Sequence, residues 1–448
     1  MARVSLISLG CPRNLVDSEV MLGFLRKAGY TVWEDATRCD AVVVNTCSFI
    51  EDAKRESIDL ILQVVELKKQ KRIKAIVVAG CLPQRYPSQL REELREVDGF
   101  LGTDDYPLIA QAVKRALAGE KFFGSFKRPT FLYDHTHRRE LITPKHFAYL
   151  KLAEGCDNNC SYCVIPAIRG RLRSRGIDSL MREAKQLFDA HRISEINLIG
   201  QDITLYGKDL YGRPRLAELL KKLANLTKAH WIRLLYTHPE HYTDELIRVI
   251  RDTPSICKYL DVPLQHISDR ILRLMNRKVR KKDIIRLIER FRDRIPGVAI
   301  RTTFIVGFPQ ETEADFKELI ECIGQMKFER LGVFQYSREE GTAACRFVGQ
   351  LPEKIKQERF DAIMKLQQDI SREVNGKFLG REIEVLIDEP SELNKRNQLY
   401  NSIGRTQYDA PEVDGNCFVR SRKRHRPGDF VRARIVDTLE YDLVGEEA

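Results

Sequence analysis

The chain has 448 residues, 43% of them hydrophobic and 31% charged, with a formal net charge of +11. That length predicts two or three domains with their own cores, while apolar runs such as AVVVN and AIVVAG are strand-sized and far short of a membrane span. Eleven cysteines, an odd number scattered over a long chain, exclude a small disulfide scaffold and point to metal ligands beside buried thiols. The positive balance favours an anionic partner, nucleic acid or a ribonucleoprotein, but sets only long-range attraction.

Residues 1–125 alternate strand and helix: VSLISLG, VDSEVMLGFLRKAG, AVVVNTCSF, DAKRESIDLILQVVELKKQ, AIVVAGCL. Near-continuous Val/Ile/Leu strands between helices predict an N-terminal α/β domain with a parallel sheet covered on both faces. The opening MARVSLISLG reads as a strand without a signal-peptide layout, so a cytoplasmic protein is expected. Cys11, Cys47 and Cys81 each stand just past a predicted strand, on the edge where such sheets place ligands. A shared cluster fits three thiols there; zinc with a fourth ligand is the rival. Histidine is absent from residues 1–134, so a His-completed zinc site would have to borrow its ligand. Cys39 reads as a plain buried thiol. Residues 126–144 read as a linker, and solvent exposure is expected for His135, His137 and His146 around it.

The stretch AEGCDNNCSYCVIPAIRGRLRSR opens a central domain over residues 145–350. Cys156, Cys160 and Cys163 form C-x3-C-x2-C with no close fourth Cys or His. That is poor structural zinc, which wants four protein ligands, and good geometry for a cubane iron-sulfur cluster with one open iron. A zinc knob or a buried trio of thiols is the alternative. Strands EINLIG, HWIRLLYT, YLDVPLQ, GVAIRTTFIVGFP and RLGVFQYS, separated by helices, complete a (β/α)6 partial TIM barrel whose chemistry belongs at the C-terminal strand ends. Those ends carry Gly200, Gln201 and Asp202, then Tyr236, Thr237 and His238, then Gln265 and His266, then Gly307. Arg301, inside an apolar strand, needs a partner. Cys257, Cys322 and Cys345 read as structural. Arg169, Arg171, Arg173 and Arg175, with 13 Lys/Arg against 6 Asp/Glu over residues 251–300, form either a solvated helix face or a basic skirt.

Residues 351–376 read as a helical connector, and residues 377–448 as a small antiparallel β-barrel. Despite its RSRKRHR patch, that last module holds 12 Lys/Arg and 14 Asp/Glu. An RNA-gripping module should be net positive, so a basic protein is the better-matched partner.

The pattern at Cys156, Cys160 and Cys163, with Tyr162 beside the last cysteine, resembles the signature of the radical S-adenosylmethionine (SAM) superfamily. LGCPRNLVDSE, NTCSFI and the later Gly80–Cys81 are similar to its methylthiotransferase branch. Pro12, Asn14, Leu15 and Asp17–Ser18–Glu19 resemble the members that modify a ribosomal protein, and YDAPEVDG resembles their version of the TRAM domain. The resemblance implies two 4Fe-4S clusters, one on Cys156, Cys160 and Cys163 and an auxiliary one on Cys11, Cys47 and Cys81. It implies SAM contacts at the turn of Gly200 and Gln201, although Gly200–Gln201 departs from the common Gly-Glu form; Tyr162 in the signature, Gln265 at a strand exit and Arg301, facing the cleft from the fifth strand, are the further SAM contacts expected. The implied reaction cleaves SAM to a 5′-deoxyadenosyl radical and inserts sulfur and a methyl group at the β-carbon of an aspartate of ribosomal protein uS12, giving 3-methylthioaspartate. The partners expected are uS12, free or in the small subunit, ribosomal RNA at the basic skirt, and an electron donor such as flavodoxin or ferredoxin; a monomer is expected. The alternative within the family is a tRNA adenosine 2-methylthiotransferase, and from another class a non-catalytic, zinc-stabilised RNA-binding protein.

Overall fold

A computed structural model describes residues 1–226, 230–394 and 398–448, which divide into two compact units. The first comprises Met1–Ile142, Ala153–Arg175 and Ser337–Cys345; the second comprises Thr143–Leu152, Gly176–Tyr336 and Arg346–Ala448. The cysteine loop, expected within a block starting at residue 145, is thus grouped with the N-terminal residues, and the C-terminal module with the barrel. The side-chain bonds described below account for both groupings.

In the first unit, β1 (Arg3–Ser8), β2 (Thr31–Val32), β3 (Ala41–Thr46), β4 (Ala75–Gly80), β5 (Gly99–Leu101) and β6 (Phe122–Phe123) make one parallel sheet in the order 2-1-3-4-5-6. Every residue of β3 and β4 is buried, which is why their sequences are continuous apolar runs rather than alternating ones. Helix α1 (Pro12–Lys27) covers one face through Met21, Leu22 and Leu25, and α2 (Glu51–Lys69) the other through Ile61, Val64 and Val65. The strand order reverses between β1 and β3, and open α/β sheets bind ligands beyond the strand ends at such a reversal. Cys11 follows β1 and Cys47 follows β3.

In the second unit, β7 (Phe147–Lys151), β10 (Glu195–Ile199), β11 (Trp231–Leu234), β12 (Ile256–Asp261), β13 (Ala299–Val306) and β14 (Arg330–Gln335) pair in parallel and in that order. Between β7 and β10 the chain makes the short antiparallel ladder of β8 (Ala153–Glu154) with β9 (Arg173–Ser174), part of the first unit. Amphipathic crossover helices such as Ile177–Ala190 and Asp244–Asp252 cover the outside, giving the six-stranded partial barrel expected. The helix Glu353–Gly376 adds Ile363, Ile370 and Val374 to the same core. Six further strands, β15 (Glu382–Ile387), β16 (Glu392–Asn394), β17 (Leu399–Thr406), β18 (Cys417–Ser421), β19 (Phe430–Thr438) and β20 (Leu443–Glu447), close into a small barrel through β15–β17. Its pairings are antiparallel except β18 with β20, which run parallel.

The small barrel is tied to the large one by buried charge. Glu195 on β10 takes Arg233 Nε at 2.6 Å and Arg405 Nη1 at 2.6 Å, with all three side chains almost fully buried. Arg405 continues to Asp388 at 2.8 Å, and Asp388 to His146 Nε2 at 2.7 Å. His146 is therefore buried, contrary to the exposure expected of it, because that carboxylate gives its ring a partner. Asp409 accepts from Arg330, and Asp414 from the Tyr259 hydroxyl. Burying such groups is tolerable only when each is paired. Among the described residues, no helix is long and apolar enough to cross a membrane.

Candidate metal and cofactor sites

The first cysteine trio is assembled by backbone conformations that its flanking residues impose. Cys11 precedes Pro12 at the start of α1, and its carbonyl takes the Asn14 N–H at 2.8 Å. Gly10 has φ +87, and a Cβ there would lie 2.6 Å from Cys47 Cβ and 3.0 Å from its Sγ, so only glycine lets the chain before Cys11 pass so close to Cys47. Cys47 is held by Ser57, whose hydroxyl accepts from the Cys47 N–H at 3.1 Å and donates to its carbonyl at 2.9 Å. Gly80, with φ +100, caps the short helix α3 (Cys81–Arg85), which begins at Cys81. Asn14 fastens the strand exits together, its Nδ2 donating to Leu9 O at 2.8 Å and Thr46 O at 3.0 Å. Asn45 donates to Asn14 O and to Ser18 Oγ, each at 2.8 Å. The motif residues Asn14 and Ser18 thus hold together the strand exits that carry Cys11 and Cys47.

Burial, with Cys81 and Cys11 as neighbours, pushes the Cys47 thiol up to about 12. Burial also raises Cys81, against the pull of Arg169. Burial works on Cys11 in the same sense, but Arg13, the Asn14 N–H and Arg169 together outweigh it and hold that thiol below its ordinary range. Cys39 stands apart as expected, donating to backbone carbonyls of Ala36 and Ala41.

The second trio lies in the same unit. The loop from Cys156 to Cys163 is closed at its base by β8 and β9, with the Cys156 N–H on Gly170 O at 3.1 Å. Gly155, at φ +74, passes so near the Arg171 carbonyl that a Cβ would sit 2.0 Å from that oxygen. Asp157 caps the return strand through the Leu172 N–H at 3.1 Å, and the Cys163 N–H reaches Cys160 O at 3.1 Å. Cys163 is pushed up to about 12, by burial first and then by Cys160 and Cys156 beside it; Arg13 draws it back. Arg13 therefore lies within electrostatic reach of a sulfur in each trio.

The arginines after this loop were expected as a solvated face or a skirt. Arg169 and Arg175 are instead buried. Arg175 lies 4.3 Å from the Tyr133 ring, and Arg169 bonds Asp17, Asn14 and Cys81. Arg277, in the second basic stretch, is buried too and holds the Pro263 carbonyl at 2.8 Å. Charge counted along the sequence does not separate surface arginines from those that bond buried carbonyls and carboxylates.

In the second unit, Gly200 and Gln201 stand at the exit of β10, and Gln265 lies past β12 with φ +72. Gln265 is locked by its own backbone, which donates to Thr303 O at 2.7 Å and accepts from the Ile305 N–H at 2.8 Å. Tyr162 lies in the cysteine loop of the first unit. Arg301 finds the partner its apolar strand requires in Asp261 at 3.0 Å and Asp414 at 3.4 Å. Among the described residues, the His/Cys/Asp/Glu group spaced for a single ion is Asp202, His238 and His241. Asp202 takes the Thr204 N–H at 3.0 Å and faces His241 Nδ1 at 2.9 Å, and His238 Nδ1 takes the Glu240 N–H at 3.3 Å. Burial and Arg277 lower His238 and keep it neutral. These bonds tie the exits of β10 and β11 together.

Three family models match: the radical SAM superfamily over residues 150–323, the uncharacterized protein family UPF0004 over 3–102, and the TRAM domain over 379–447. The ribosomal protein uS12 methylthiotransferase RimO of Pelotomaculum thermopropionicum is 50% identical over 446 residues, covering 99% of both chains. That of Desulforamulus reducens is 48% identical over 448 residues, covering 100% of both. The chain belongs to the uS12 methylthiotransferase family of the radical SAM superfamily. Among solved structures it is similar to the radical SAM methyltransferase TsrM of Kitasatospora setae, with a TM-score of 0.57 and 15% identity over 77% of each chain. At that identity the likeness is one of fold.

Proposed function

We propose that this chain is a radical SAM methylthiotransferase that places sulfur and a methyl group on the β-carbon of an aspartate of ribosomal protein uS12, giving 3-methylthioaspartate. The observation that carries the reading is the pair of cysteine trios within one compact unit, in a chain alike over its full length to uS12 methylthiotransferases. One trio serves radical initiation generally; the second supports sulfur insertion specifically.

The residues present fit two iron-sulfur clusters. Each trio offers three cysteines, and Gly10 and Gly155 give close approaches that a side chain would block. Cys156, Cys160 and Cys163 would hold the 4Fe-4S cluster that works with SAM, and Cys11, Cys47 and Cys81 an auxiliary one. When bound, these groups supply one-electron chemistry capable of taking hydrogen from an unactivated carbon, and a sulfur source for the carbon left behind. The protein's part is to hold the six sulfurs, exclude water and orient the reactants. The Gly200–Gln201 turn and the locked Gln265 are the SAM contacts that this reading assigns to the second unit. Arg301 serves it by fixing Asp261, which in turn takes the Tyr236 N–H at 2.8 Å.

Mass spectrometry of uS12 and of tRNA from a strain lacking the protein tests this reading. Loss of the methylthio group from uS12 is expected; loss from tRNA alone overturns it. Anaerobically prepared protein should carry about eight irons per chain, and about four would remove the auxiliary site.

A further inference from the structure

Arg169 ends the short helix Ile165–Arg169, six residues after Cys163, yet its guanidinium faces the other trio. One nitrogen, Nη1, bonds Asp17 Oδ2 at 2.5 Å and lies 3.5 Å from Glu154 Oε2. The other, Nη2, donates to Asn14 Oδ1 at 2.9 Å and to Cys81 Sγ at 3.4 Å. The side chain is buried, as are Asp17, Asn14 and Cys81. A buried guanidinium is costly unless its donors are used, and apolar packing would serve structure as well. Here one donor is directed at a sulfur that the proposed function makes a cluster ligand. Hydrogen bonds and positive charge at ligating sulfur stabilise the reduced cluster, and so raise its potential.

Resting on the two-cluster reading above, we propose that Arg169 is a positioning residue of the Cys11, Cys47 and Cys81 site, holding Cys81 and setting the potential of the auxiliary cluster from the same helix that leaves Cys163. Asp17 keeps the guanidinium aimed. The arrangement ties the auxiliary site to the loop carrying the SAM trio, so that displacing one loop alters the sulfur environment of the other.

The test uses the full chain with Cys156, Cys160 and Cys163 replaced by Ala, which leaves one trio to load. To it are added R169K, or D17N with R169M, which removes the Arg169–Asp17 pair as a unit. Iron per chain and the midpoint potential, from a redox titration followed by electron paramagnetic resonance, are measured on each. The expected result is a midpoint shifted to more negative potential, further in D17N/R169M than in R169K. Loss of iron in a variant whose circular dichroism matches the parent also supports a holding role for Arg169. Full iron at an unshifted midpoint in both variants overturns the proposal; if D17N/R169M does not fold, R169K alone decides. A parent chain without iron overturns the auxiliary-cluster reading itself and this proposal with it, whereas an iron-loaded parent with unshifted variants removes this proposal only.

Discussion

Gly10 shows how one residue without a side chain makes room for a neighbouring cysteine. Replacing it with Ala puts a methyl group against Cys47 and forces an L side chain into φ +87, a backbone cost of about 1–2 kcal/mol before any clash. The expected outcome for G10A is loss of about half the iron with the Cys156 loop still loaded. G119A, at φ +78 with nothing within 4 Å of the new Cβ, should keep all of it, as iron and sulfide analysis will show. His266 makes a second prediction at this scale. Its Nδ1 takes the Ser268 N–H at 3.0 Å, and its Nε2 has no hydrogen-bond partner among the described residues. Burial lowers it to about 3. Between its ordinary 6.5 and about 3 the unfolded chain binds a proton that the folded chain refuses, so stability is lost as pH falls through that window, by about 1.4 kcal/mol per pH unit. Glu311, raised to about 7 by burial against Arg359, acts in the opposite sense above its ordinary range. Denaturation of wild type and H266Q across pH 7 to 4 isolates the histidine, and H266Q should show the shallower loss.

At the scale of elements, the loop between β8 and β9 depends on a two-residue ladder and one glycine. G155A should open that ladder, because the added Cβ meets the Arg171 carbonyl at 2.0 Å. Reductive release of 5′-deoxyadenosine should then fall at least tenfold while the iron held by the Cys11 trio stays; undiminished release would show that the ladder is dispensable. Much at this scale was legible in the residues. Continuous runs such as AVVVNT and AIVVAG announced buried parallel strands, and a cysteine after each announced where they lead. The local spacing of Cys156, Cys160 and Cys163 needs no tertiary information, which is why it could be read outright. The ties at the strand exits could not be, because Asn14, Asn45 and Ser57 act across 10 to 32 residues through bonds to backbone atoms. Nor could Arg169, which looks in sequence like its neighbour Arg171 and differs only in what surrounds it.

Across the whole molecule, the same limit applies to charge. The excess of acids in residues 377–448 suggested a surface suited to a basic protein, but Asp388, Asp409 and Asp414 are spent on arginines and a histidine of the same unit. Setting them aside with their companion Arg405 leaves the two signs level, so preference for uS12 rests on the family and the first cysteine motif rather than on this module's net charge. Buried pairs of this kind are costly to break singly. R405M leaves Glu195 buried with Arg233 alone and should lower unfolding stability by about 3–5 kcal/mol, whereas R434M, at an exposed pair with Glu382, should cost less than about 1. Chemical denaturation of the two variants makes the comparison. These ties also bear on inheritance. A C-terminal barrel taken from a different protein would bring the wrong residues opposite Glu195, Arg301 and Arg330, which would lose Arg405, Asp414 and Asp409 at once. The small barrel and the large one can therefore be exchanged between relatives only as a single cassette, and residues on both sides of the seam should change together or not at all.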